Sequence, residues 1–127
     1  MKILYGTTNN GKLQAMKTAV KPLDIQLISL KDVEGELPSI NESGITPLDN
    51  AEIKARAYYD AFHMPVFSCD SGLYFDELKK EEQPGIHVRR VNGKELSDDE
   101  MIGYYASVAE KYGGKITGRY RNAIYFI

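Results

Sequence analysis

A short polar segment near the start of the chain has the residue types of a phosphate-binding loop. The run Thr7-Thr8-Asn9-Asn10-Gly11-Lys12 combines hydroxyls, amides, a glycine and an ammonium group. Where such a loop joins a strand to a helix, the backbone N–H groups and the helix dipole attract an anion. Taken alone, however, the run is better explained as an ordinary turn, and its glycine spacing is not that of a Walker A loop.

A second segment, Cys69-Asp70-Ser71-Gly72, follows an apolar run that reads as a buried strand ending at Asp70. In open α/β sheets ligands bind beyond the carboxyl ends of strands, so Asp70 is a candidate metal ligand or general base. The ordinary alternative is a turn in which the aspartate bonds the backbone. Since no histidine is near Cys69 in the sequence, we interpret Cys69 as a small buried apolar residue.

Glu42 precedes the best-marked helix of the chain, which we predict to run to about Phe62. An N-cap, a proline at the first helical position and an acid in the first turn mark its start: Thr46, Pro47 and Asp49. Asn50 and Lys54 lie four residues apart, so they share a face and could reach one anionic ligand. An exposed helix face and a solvated acidic turn at Glu42 are the alternatives.

The elements that must position these residues alternate between strands and helices. Apolar periodicity and turn residues predict strands at 2–5, 25–30, 65–69 and 115–127, an extended segment at 73–78, and helices at 10–21, 46–62 and 97–111. Ser97 and Glu100 form a capping box for the last helix. The alternation predicts an α/β fold with a mainly parallel or mixed sheet.

Composition narrows the class of protein further. The 127 residues, 43% of them apolar, fit a single compact domain or part of one. One cysteine excludes an internal disulfide, and no segment has the length and apolarity of a signal peptide or membrane span. We therefore expect a soluble, cytoplasmic protein without a membrane partner. The chain has sixteen basic and eighteen acidic residues and therefore no excess of positive charge. Because a nucleic-acid binder usually has such an excess, we expect no nucleic-acid partner.

Read in order, four motifs resemble the Ham1/ITPase family of non-canonical purine nucleoside triphosphate pyrophosphatases. They are Thr-x-Asn-x-Gly-Lys, Glu-Ser-Gly-x-Thr-x-x-x-Asn-Ala-x-x-Lys-Ala, Asp-Ser-Gly-Leu and Pro-Gly-Ile-x-x-x-Arg. The resemblance extends from Lys2 to about Arg90 and, more faintly, over the final strand at Arg119 to Ile127. Four ordered motifs are far more specific than any one of them.

The resemblance implies an elongated α/β fold with a central twisted mixed sheet flanked by helices, of the anticodon-binding-like type, and a nucleotide cleft between two lobes. It implies Mg²⁺-dependent hydrolysis of ITP, dITP and XTP to monophosphate and pyrophosphate, usually by a homodimer. Glu42 and Asp70 would hold the metal, and Asp70 would be the general base. The substrate would contact a larger set, namely Thr7, Thr8, Asn9, Asn10, Gly11, Lys12, Lys54, Ser71 and Arg90.

The sequence departs from the family pattern in three places. Cys69 stands where the family usually has a first aspartate, so we expect a metal shell with one carboxylate fewer. His87-Val88-Arg89 replaces a run that is usually small or contains serine. The sequence reaches Ile127 inside an apolar strand pattern, before two segments that recognise the purine base in the family, so we expect a C-terminally truncated member whose base specificity is unassigned.

Two further interpretations stay open at this point. The chain could be an inactive fragment or nucleotide-binding module that keeps only the phosphate and metal contacts. It could also be a related pyrophosphatase that acts on modified pyrimidine nucleotides.

Overall fold

The computed structural model describes all 127 residues, Met1–Ile127, and contains six strands and three α-helices. The strands are β1 (Lys2–Tyr5), β2 (Gln26–Ile28), β3 (Val66–Phe75), β4 (Arg90–Val91), β5 (Lys94–Glu95) and β6 (Gly118–Phe126). The helices are α1 (Asn10–Val20), α2 (Pro47–Phe62) and α3 (Asp98–Glu110). The predicted α/β class and the three predicted helices are confirmed. None of these helices has the combination of length and apolar character that a membrane span requires.

Four of the strands form one sheet in the order β2-β1-β3-β6. Strand β1 pairs in parallel with β2 on one side and with β3 on the other. Val66 and Ile127 donate backbone N–H groups to each other's carbonyls, at 3.1 and 2.9 Å. This reciprocal exchange is the mark of an antiparallel pair, so β6 runs against β3 and the predicted mixed sheet is confirmed.

The predicted helix starts are confirmed at the level of single hydrogen bonds. The Thr46 hydroxyl accepts from the Asp49 N–H at 3.2 Å, and the Asp49 carboxylate accepts from the Thr46 N–H at 3.1 Å. Ser97 and Glu100 form the same reciprocal box at the start of α3. Each box satisfies backbone N–H groups that have no partner inside the helix.

The prediction that a strand ends at Asp70 is wrong. Strand β3 runs without a break from Val66 to Phe75, with Asp70 in its middle, so the alternative of a turn at this aspartate is also excluded. Strand β1 accompanies β3 only as far as Phe67. The strand continues because its other edge pairs with β6, as the bond from the Asp76 N–H to the Thr117 carbonyl shows.

The short hairpin of β4 and β5 was not among the predicted elements. Its turn is Asn92-Gly93, with φ values of 51° and 78°. Asn-Gly is a strong signal for a two-residue turn of this kind, because both positions need positive φ. The signal was present in the sequence and marks the strand that holds Arg90.

The chain divides into two compact units. The first comprises Met1–Asp70 and Asn122–Ile127, and buries a core around Leu4, Leu30, Tyr58 and Val66. In the second, Ser71–Arg121, the Tyr105 ring packs against Phe75 and Tyr104. The single domain expected from the sequence stays a prediction.

Candidate active site

The polar loop begins where β1 meets a tight contact. A Cβ atom on Gly6 would lie 2.3 Å from the Ser68 hydroxyl oxygen and 2.5 Å from the Tyr58 ring. The Ser68 hydroxyl also donates a hydrogen bond to the Gly6 carbonyl at 3.0 Å. Because no side chain fits here, the end of β1 is held against β3 and α2, which fixes the point where the loop starts.

The loop itself is ordered by its own short side chains. The Thr7 hydroxyl accepts from the Asn9 N–H at 3.1 Å, and the Asn9 amide oxygen accepts from the Lys12 N–H at 3.0 Å. Asn9 is thereby the N-cap of α1, and Asn10 and Gly11 are the first residues of that helix. The turn expected from the sequence therefore also forms the N-terminus of α1, where unpaired N–H groups of a helix can face an anion.

Lys54 is the centre of the polar cluster. Its ammonium donates to the Cys69 carbonyl oxygen at 2.7 Å and lies 3.5 Å from a Glu42 carboxylate oxygen and 3.9 Å from one of Asp70. The Lys54 side chain is only 14% exposed and that of Asp70 17%, whereas Glu42 is 49% exposed. One side chain of α2 therefore joins the loop before that helix to the middle of β3.

These groups face a cavity of about 420 Å³. Seven of the predicted site residues line it: Thr7, Thr8, Asn9, Lys12, Glu42, Lys54 and Asp70. Ser71 and Arg90 belong to the second unit and are not among its lining residues. The structure therefore brings most of the predicted site together within the first unit, while the roles of Ser71 and Arg90 stay predictions.

Sequence reasoning missed part of the cavity wall, namely Pro38, Ile40 and Tyr58. Tyr58 is nearly fully buried, and its burial, with the Glu42 charge nearby, raises its pKa. The phenol is therefore neutral at physiological pH and can donate a hydrogen bond. Its signal was available, because Tyr58 follows Lys54 by four residues and so lies on the same helix face.

Glu42 and Asp70 are the side chains of this cavity that could hold a divalent cation. Two carboxylates, Glu42 and Asp70, already converge on one cation, the Lys54 ammonium. No group of three or more acidic, cysteine or histidine side chains that could hold a metal occurs in the chain. Mg²⁺ is usually bound through one or two carboxylates, and waters and substrate phosphates supply its other ligands. Two carboxylates are therefore enough for a magnesium site.

The side chain of Cys69 faces away from this pair. Neighbouring residues of a strand point to opposite faces, and the Cys69 side chain lies beside Tyr5, whose ring stacks on Phe67 with centroids 4.5 Å apart. Burial raises the pKa of Tyr5, and the contact with Cys69 adds to the rise. Cys69 therefore contributes its backbone carbonyl to the candidate site, and a carboxylate at position 69 would point toward Tyr5.

Comparison with known proteins gives a consistent result. The model of the Ham1 family matches residues 3–126. A dITP/XTP pyrophosphatase of Oceanobacillus iheyensis is 36% identical over 101 residues, which are 80% of this chain and 50% of that protein. A dITP/XTP pyrophosphatase of Anaeromyxobacter dehalogenans is 34% identical over 120 residues, 94% of this chain and 50% of its own.

Among solved structures, a HAM1 protein from Coxiella burnetii has the same fold. It superposes with a TM-score of 0.80 at 27% sequence identity, and the match covers 100% of this chain and 63% of that one. The present chain thus spans about half the length of these curated relatives.

Proposed function

Because the chain belongs to the Ham1 family, we propose that it binds a nucleoside triphosphate and hydrolyses it to a nucleoside monophosphate and pyrophosphate. The observation that carries this proposal is the convergence of Glu42 and Asp70 on the Lys54 ammonium, in a cavity lined by the loop after β1. A triphosphate needs positive groups for its oxygens and carboxylates for its accompanying metal, and this cavity offers both.

The proposed substrates are ITP, dITP and XTP. The family resemblance of the sequence motifs supports them, and two similar proteins are named dITP/XTP pyrophosphatases. The triphosphate would lie along the loop, with Lys12 and the N-terminal N–H groups of α1 facing its oxygens. Neutral Tyr58 would donate a further hydrogen bond from the cavity wall.

Mg²⁺ is the proposed cofactor, held by Glu42 and Asp70, and when bound it would neutralise charge on the triphosphate. Asp70 would accept a proton from a water molecule as the oxygen of that water forms a bond to the α-phosphorus. The P–O bond between the α- and β-phosphates breaks, and pyrophosphate leaves with the bonding electron pair. Lys12 and Lys54 would stabilise its developing negative charge electrostatically.

The experiment measures pyrophosphate released from ITP, XTP and GTP in the presence of Mg²⁺. Losing a positioned general base costs about a hundredfold to ten-thousandfold in rate. We expect Asp70→Asn to show a loss of that size with an unchanged unfolding temperature. Asp60→Asn is the matched control, since Asp60 is an exposed residue near the end of α2.

Three outcomes would change the assignment. Pyrophosphate release by Asp70→Asn at nearly the unsubstituted rate would remove Asp70 from the mechanism. Calorimetric binding of ITP without product would identify a nucleotide-binding module. Faster turnover of UTP or dTTP than of ITP would favour a pyrophosphatase for pyrimidine nucleotides.

The proposal includes a homodimer, which rests on the family resemblance of the sequence motifs, and a cytoplasmic location, which rests on the composition of the chain and its single cysteine. Sedimentation equilibrium of the purified chain tests the first, and a single monomeric species at micromolar concentration would contradict it. Fractionation of cells that express the chain tests the second.

A further inference from the structure

We infer that Asn50 is a positioning residue, whose buried side chain holds the loop that carries Glu42 and thereby tunes the affinity of the site for a divalent cation. This inference rests on the proposed function, since it assigns Glu42 to the metal. Asn50 itself does not line the cavity, so it would act through the loop.

The contact that supports the inference is a direct hydrogen bond from the loop to a buried side chain. The Asn50 side chain is almost fully enclosed, with 3% of the residue exposed, and its amide oxygen accepts from the Gly44 N–H at 2.8 Å. Gly44 follows Glu42 by two residues. A hydrogen bond to a buried and therefore well-held side chain restricts where the backbone near Glu42 can lie.

The loop also packs closely against the first turn of α2. A Cβ atom on Gly44 would lie 2.4 Å from the Asp49 Cβ and 2.5 Å from the Asn50 amide oxygen. These distances leave no room for a side chain, so the glycine lets the loop approach the helix closely enough to make the bond. The hydrogen bond to Asn50 therefore depends on the glycine at position 44.

Glu42 needs such an anchor because its own side chain is half exposed. Its other constraint is the ion pair with Lys54, at 3.5 Å. Asn50 and Lys54 lie four residues apart on one face of α2, and one holds the loop backbone while the other holds the carboxylate. A binding group must stay within about 0.5 Å of its productive position, so both constraints matter.

Asn50 is not simply part of the helix cap. The cap is the box of Thr46 and Asp49, in which the Asp49 carboxylate accepts from the Ile45 and Thr46 N–H groups, both at 3.1 Å, on the exposed side. Losing a cap lowers stability, whereas losing the Asn50 contact releases the loop near Glu42. The two roles can therefore be separated by measuring metal affinity and stability on the same variants.

The test uses the full chain and Mn²⁺ as the probe, with free Mn²⁺ measured by electron paramagnetic resonance. Removing a residue that orients a metal ligand typically costs about tenfold to a hundredfold in metal affinity, and we expect a loss in that range for Asn50→Ala. Hydrogen exchange at the Gly44 amide should accelerate in the same variant. Ser97→Ala, which removes a cap residue from α3 in the second unit, should leave the Mn²⁺ dissociation constant unchanged.

Gly44→Ala disturbs the same contact from the other side and gives a second route if Asn50→Ala does not fold. We expect a comparable loss of Mn²⁺ affinity, and a double variant whose effect is smaller than the product of the two. Unchanged Mn²⁺ affinity in a folded Asn50→Ala or Gly44→Ala variant would overturn the inference alone. An unsubstituted chain that binds no Mn²⁺, with or without ITP, would overturn the inference and the proposed function together.

Discussion

Helices α2 and α3 begin with the same capping box, and they differ in what their faces cover. In α2 the box is Thr46 with Asp49, and in α3 it is Ser97 with Glu100. Helix α2 buries five residues, namely Pro47, Asn50, Ala51, Ala55 and Tyr58, whereas α3 buries only Val108. The cap determines where each helix starts, but the covered face determines what the helix positions.

The covered face of α2 is unusual in mixing small and polar residues. Ala51 and Ala55 are fully buried, so the helix backbone lies close to its neighbours. Between and beyond them along the helix come Asn50, Lys54 and Tyr58, which hold the Glu42 loop, pair with both carboxylates and wall the cavity. Close packing and polar contacts thus share one side of a single helix.

The largest expected effect comes from enlarging a residue on that face. Ala55→Leu adds three carbon atoms to a fully buried position, and overpacking of this kind costs about 1–3 kcal/mol. Ala106→Leu is the matched change on an exposed position of α3, where the free energy of unfolding should move by no more than about 0.5 kcal/mol. Urea denaturation of both variants tests the contrast, and similar losses would show that the two faces are covered alike.

A smaller effect is expected where the helices are alike. Thr46→Ala and Ser97→Ala each remove the hydroxyl that accepts from the third helical N–H, and each should cost about 1 kcal/mol. The expected equality follows from the shared geometry. A much larger loss at Thr46 in the same denaturation experiment would mean that the cap and the covered face of α2 are energetically coupled.

The smallest expected effect is a difference between the pKa values of Asp49 and Glu100, the acidic residues of the two capping boxes. Backbone N–H groups of Thr46 and Ile45 lower the pKa of Asp49, whereas the Lys94 ammonium is the main cause that lowers the pKa of Glu100. Both carboxylates therefore stabilise the fold above their ordinary pKa values, 3.8 and 4.5, and lose this contribution as the pH falls through their lowered values.

Salt should distinguish these two causes. The Debye length falls to about 3 Å at 1 M salt, so the exposed pair of Lys94 and Glu100 is screened. We expect the pKa of Glu100 to rise toward its ordinary value in 1 M NaCl, while that of Asp49 changes less. Carboxyl-carbon NMR titration measures both, and equal shifts would contradict the assignment of causes.

Local patterns in the sequence were sufficient for the features that depend on few neighbouring residues. The caps at Thr46 and Ser97 are confirmed because each is satisfied within four residues of chain. The ordered motifs were sufficient to indicate the family, and they correctly grouped Glu42, Lys54 and Asp70 around one site, although the roles of these residues stay predictions.

Features that depend on distant parts of the chain were not predictable in this way. Asp-Ser-Gly reads locally as a turn, but Asp70 lies mid-strand because β3 has β6 as its partner, some fifty residues later. Periodicity correctly placed Asn50 on the face of Lys54. It did not show that Asn50 bonds the returning loop, since that depends on how closely Gly44 approaches the helix.

The tight fit around Gly6 has a consequence for protein engineering. Transplanting the loop of residues 7–12 to another strand would require more than the loop itself. Here its first anchor lies outside the loop, in the Ser68 hydroxyl and the Tyr58 ring that leave room for nothing larger than a hydrogen atom. A transplanted loop would therefore also need a serine on the adjacent strand and an aromatic residue on a neighbouring helix. The unit to transfer consists of the loop, the strand segment with Ser68 and the helix segment with Tyr58.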